Sequence, residues 1–244
     1  MKKTKGYTLG ELLITLTLIG TIAALSIPSL TKNMQDRQNR ALFKKAYNEV
    51  YAAMEYARLK GWRIDKNKRL ESVFQALINN LDIDSLVDEN VSKRDNGAYA
   101  NAGDYIPFNP TETRDQYSDD TITIQNPDGS IKNEYPATSW LVTNNNMAYI
   151  VVRGNNNKET IEEINNQSNQ ADCWGKAHAV IVVDINGLSI GPNEIEPQSK
   201  KTIKKNEPLD KITGDRFYIY VGKDGITAGS AQTSVGGRIL SGMK

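Results

Sequence analysis

Glu11 is the only charged side chain between Lys5 and Lys32, and it stands in an otherwise apolar run. A carboxylate in such a run costs about 2.5–3.5 kcal/mol on membrane-insertion scales, so it calls for a partner. A second set of oxygen donors lies far along the chain. Asp184-Ile-Asn-Gly187 continues through Ile190-Gly-Pro-Asn193, and Gly214-Asp215 follows after an insertion covering residues 194–213. Asp and Asn at alternating positions before Gly are suited to Ca²⁺, through side-chain and backbone oxygens. Asp184, Asn186 and Asp215 are the expected ligands, and calcium is the one cofactor this pattern suggests. The same D-x-N-G run is also an ordinary turn former.

Other chemistry is sparse. Cys173 is the only cysteine and His178 the only histidine. One thiol forms no intrachain disulfide, and Cys-based zinc sites need more. The C-W-G-K-A-H spacing fits no metal-ligand pattern, so both residues are expected to be packing or surface groups. Carboxylate pairs occur at Asp119/Asp120 and Glu162/Glu163, but adjacent acids in polar stretches are ordinarily solvated. With no nucleophile motif or phosphate loop, the chain is not expected to be an enzyme.

The 244 residues carry a net charge of +1, which hides a split. Residues 1–70 hold 14 Lys/Arg and 5 Asp/Glu, whereas residues 71–244 hold 16 and 24. A basic stem and an acidic remainder argue against general nucleic-acid binding. Opposite signs suit either side-by-side packing of copies or two unrelated solvated surfaces.

Tyr7–Leu30 is 24 residues, about 36 Å as a helix. That is enough to cross a hydrocarbon core of about 30 Å. Lys2, Lys3 and Lys5 precede it, so the N-terminus is expected in the cytoplasm and the remainder outside. Lys32, Arg37 and Arg40 flank the far end. A cleaved secretory signal is disfavoured, because Pro28 and a helical pattern follow directly where small residues would be expected.

The run Lys5-Gly6-Tyr7-Thr8-Leu9-Gly10-Glu11-Leu12-Leu13, with Pro28 near the end of the apolar stretch, resembles the processing site of type IV prepilins and type II secretion pseudopilins. Tyr7 stands where that family usually has Phe. The resemblance implies cutting after Gly6 by a prepilin peptidase, with methylation of the new N-terminus on Tyr7. It makes Glu11 the fifth mature residue, a family hallmark. An α-amino group titrates near pH ~8 and is largely charged at neutral pH. Glu11 of one copy can then pair with the Tyr7 amine of a neighbour, which fixes axial register. Gly20, Ala23, Ala24 and Ser26 permit close helix approach. Pro28 lacks an N–H, so a bend or local melt is expected there. The resemblance also implies an inner-membrane assembly platform and homologous subunits as partners, in a bacterial inner membrane and then a periplasmic or surface filament. Its secretion members often hold calcium near the C-terminus.

The expected fold is α+β and pilin-like, with a leader at 1–6 and an apolar helix at 7–30. An amphipathic continuation at 31–60 and a globular head at 61–244 complete it. Met34, Leu42, Ala46, Val50, Met54 and Ala57 recur at helical spacing, and no Gly or Pro follows until Gly61. Val73, Phe74, Leu77 and Leu81 mark a second helix over about 70–81. Strands are expected at 121–125, 138–143, 147–153, 177–184 and 216–221, forming a meander of four or five strands against the long helix. Asn144-Asn145-Asn146 should close a hairpin, with turns at Asn126–Gly129 and Gly222–Gly225. Loops are expected at 82–120, 154–170 and 194–208.

The leading expectation is a structural filament subunit. The alternative is a minor pilin whose loops recognise a surface or a secreted substrate. A membrane-anchored enzyme is the third reading.

Overall fold

The computed structural model describes residues 8–63, 69–88, 121–125, 131–136, 139–153, 159–167, 170–189, 214–232 and 234–242. Its first element is a 51-residue helix, α1 (Leu9–Leu59), about 75 Å long. Thr8 caps it, and the stop is equally local. Gly61 takes a positive φ of 88°, Gly61 N–H bonds Arg58 O (3.0 Å) and Trp62 N–H bonds Ala57 O (3.0 Å). This pair closes the last turn as a Schellman motif, which needs a left-handed residue at the glycine. The Trp62 indole N–H then donates to Ser72 O (2.8 Å), tying α2 (Arg69–Asn80) to the end of α1.

Among the described residues eight strands follow: β1 (Ile83–Asp88), β2 (Thr121–Gln125), β3 (Ile131–Pro136), β4 (Ser139–Thr143), β5 (Ala148–Arg153), β6 (Ala179–Asp184), β7 (Arg216–Gly222) and β8 (Gly225–Thr227). Three short helices complete the described elements: α3 (Ile161–Asn165), α4 (Gln170–Lys176) and α5 (Val235–Ser241). Six strands form one antiparallel sheet in the order β1-β4-β5-β6-β7-β8, and β2 pairs with β3 by itself. The α+β class expected from the sequence is therefore present.

Period-two alternation splits the sheet into two packed faces. Tyr149, Val151, Ile181, Val183, Phe217, Ile219 and Val221 pack on Phe43, Ala46, Val50, Met54 and Ala57 of α1, with Val73, Phe74 and Leu77 of α2. Ile150, Val180, Val182, Tyr218 and Tyr220 face the other way, onto Ile164 of α3 and Cys173 and Trp174 of α4. Because both faces are covered, every residue of β6 is buried, which explains its near-continuous apolar run.

Several expectations are corrected. The sheet has six strands rather than four or five, and Thr121–Gln125 pairs outside it with Ile131–Pro136. Within the expected loop 82–120, Ile83–Asp88 is an edge strand paired to β4. Within the expected loop 154–170, Thr160 and Glu163 form a capping box that starts α3 and buries Ile164. Residues 89–120, 154–158 and 168–169 of those loops, the turn at 126–129 and the loop 194–208 lie outside the described residues. The Asn144–Asn146 hairpin forms, with Asn146 at a φ of 64°.

Candidate functional site

The first half of α1 is the candidate assembly element, and its geometry begins at Thr8. The Glu11 N–H donates to Thr8 Oγ1 (3.3 Å), while Glu11 Oε2 accepts from Thr8 N (2.9 Å) and Thr8 Oγ1 (2.9 Å). Thr8-x-x-Glu11 is therefore a capping box. It places the carboxylate at the positive end of the helix dipole. Gly6 and Tyr7 lie outside the described residues.

Beyond the cap, no residue from Leu9 to Gln38 is buried. Leu9 is 82% exposed and Leu25 81%. The hydroxyls in this stretch turn back onto the helix. Thr15 donates to Glu11 O (2.9 Å), Thr17 to Leu13 O (2.8 Å) and Thr21 to Leu18 O (2.9 Å). Their donors are thereby satisfied without water, and the outer surface stays apolar. α1 holds a window long and apolar enough to cross a membrane, none of it buried.

Of the bend or local melt expected at Pro28, the melt does not occur. α1 is helical on both sides of the proline, although Pro28 gives Ala24 O no N–H partner. Thr31 Oγ1 donates to Ile27 O (3.2 Å) and Pro28 O (3.0 Å) just after it. Gly20 has open space where a Cβ would stand, as close helix approach requires.

Asn39 is the first buried residue of α1, and its side-chain amide donates to Gly214 O (3.0 Å). That contact leads to the expected calcium ligands. Asp184 Oδ2 accepts from Arg216 Nε (3.0 Å), and Asp184 Oδ1 accepts from Gly187 N (3.0 Å). Asp184, Asp215 and Arg216 are all buried, and the Arg216 guanidinium lies 5.1 Å from the Trp140 ring centre. Burial raises the Asp184 carboxyl to about 6, opposed by Arg216 and reinforced by the Asp215 charge. Gly187 has a φ of 89°, and the Asn146 amide donates to Asn186 O (3.0 Å). D-I-N-G is thus a packed turn gripped by the β4–β5 hairpin.

These residues do not fit a calcium site. Arg216 occupies the place of the cation, and both Asp184 oxygens already accept from protein donors. Among the described residues no group of three or more His, Cys, Asp or Glu gathers for a metal. Cys173 is buried, with its thiol 3.3 Å from Ile164 O, and His178, five residues later, is buried as well.

Sequence reasoning missed Thr8, Arg216 and Asn39. The S/T-x-x-E pattern was available for the first, and Arg216 adjoins Asp215. Nothing local marks Asn39, whose partner is 175 residues away. Compared with known proteins, the chain matches no family model, no curated protein and no solved structure.

Proposed function

We propose that the chain is a structural subunit of a filament of the type IV pilus or type II secretion kind, cut after Gly6 and held in the membrane by α1 until assembly. One observation carries this reading. A single helix has an apolar half that stands wholly clear of the protein and a second half that forms the centre of the head's core. Such an element transmits force from a membrane or filament axis straight into a folded domain. The exposed apolar half has two environments that satisfy it, lipid and other copies of itself.

Glu11 supplies the register. In the isolated chain its carboxylate is held by Thr8. Beside a second copy it pairs with the amine freed on Tyr7, so that neither charge is left alone in apolar surroundings. The role is mechanical and requires no catalytic group.

The test is co-expression with a prepilin peptidase, followed by intact-mass measurement. A loss of residues 1–6 plus one methyl group is expected. A chain that keeps its first six residues beside a peptidase active on a control prepilin sinks the reading.

A further inference from the structure

α1 leaves the apolar stretch at Leu30 but does not enter the head until Asn39. Residues 31–38 (Thr-Lys-Asn-Met-Gln-Asp-Arg-Gln) therefore form a polar neck, about 12 Å long at ~1.5 Å per residue. The headgroup layer on one side of a bilayer is about 5–7 Å thick, from the difference between total and hydrocarbon thickness. With Leu9–Leu30 in the hydrocarbon, the neck crosses that layer and sets the head just beyond it.

The charges on the neck suit that position. Arg40 is bound to Asp36, its Nε 3.0 Å from Oδ1, so this pair adds no net charge. Lys32 and Arg37 are exposed and make no ion pair among the described residues. Lys32 lies about 3 Å and Arg37 about 10 Å beyond Leu30 along the axis. Lys32 precedes the buried Val50 by 18 residues, or five full turns at 3.6 residues each. It therefore leaves the helix on the side the head occupies higher up, in the gap between head and bilayer. Arg37 emerges about 140° away, at ~100° per residue, and covers the opposite side.

We propose that Lys32 and Arg37 form a docking collar for anionic phospholipid headgroups, which seats the membrane-stored subunit. The inference rests on the anchor half of the filament reading. Lipid phosphate is favoured over the acidic head of a second copy because the neck is too short to admit a folded domain between head and bilayer. The collar holds the helix at one depth through ionic contacts that weaken with salt.

The test uses the full chain in nanodiscs of equal phosphatidylglycerol and phosphatidylcholine, with retained lipids counted by native mass spectrometry. Wild type is expected to retain phosphatidylglycerol preferentially. Each basic side chain near an anionic surface contributes a factor of roughly five, so K32Q/R37Q should cut the preference by at least tenfold. The same loss is expected in a K2Q/K3Q/K5Q background, which removes the basic cluster of the opposite end. Equal retention of both lipids by wild type, or less than a twofold change in K32Q/R37Q in both backgrounds, overturns the collar. Unchanged lipid retention with lost cross-linking between copies also overturns it and assigns the surface to a second subunit. An uncut chain in the peptidase assay sinks the filament reading and leaves this result standing. A chain that never enters the nanodisc sinks both.

Discussion

Asp184 shows how a motif can be visible while its partner is not. The Asp-x-Asn-Gly pattern marks a tight turn with oxygen donors, and Asp184 does accept from the Gly187 N–H. What fills the carboxylate is Arg216, 32 residues later on the neighbouring strand. The register Asp184↔Arg216 comes from strand pairing, which no local pattern encodes. A pH dependence follows. The Asp184 carboxyl sits at about 6 in the fold against 3.8 ordinarily, with burial as the main cause. Folding therefore favours its protonated form. Its contribution to stability is fully present below about pH 4 and is lost as pH rises through 6. Asp184→Asn should abolish that part of the slope between pH 4 and 6 in denaturant titrations of the full chain in detergent. Arg216→Met strips the cation from the buried Asp184 carboxylate. It should cost about 3–5 kcal/mol at pH 7 and extend the pH-sensitive window upward.

α1 was the most legible element, because helical periodicity is local and its terminators are explicit. The apolar spacing at Ala46, Val50, Met54 and Ala57 marks the buried stripe correctly. Met34, read as part of the same stripe, is 62% exposed. Periodicity gives the face of a helix but not where a partner begins to cover it. The covering starts at Asn39 and is firm by Phe43, which stacks on Phe217 with ring centres 4.5 Å apart. A Cβ added to Gly236 of α5 would come within 2.9 Å of the Phe43 ring. Phe43 of α1 is thus gripped between β7 and α5. Phe43→Ala should cost about 3–5 kcal/mol, whereas Met34→Ala should stay within about 0.5 kcal/mol. Denaturant midpoints of the two variants, read by tryptophan fluorescence, decide it. Similar losses from both would place the edge of the head in the wrong position.

At the scale of the whole molecule, the chain divides into a part with its own core and a part without one. The head buries both faces of its sheet, using the second half of α1 on one face and α3 with α4 on the other. The sequence readily signals a helix over a sheet. It gives a weaker signal for the second layer, because α3 is only 5 residues and α4 only 7. In return, Leu9–Leu30 gives no buried contact to the head, so its removal leaves every core residue in place. A chain beginning at Thr31 should therefore be soluble, fold, and melt at the temperature of the full chain's head in detergent. The full chain should float with lipid vesicles while the truncated chain stays at the bottom of the gradient. If the truncated chain is soluble but unfolded, the apolar half of α1 supports the head directly. The separation of anchor from core would then be wrong, and with it the reason for reading α1 as a shaft that lipid and filament can share.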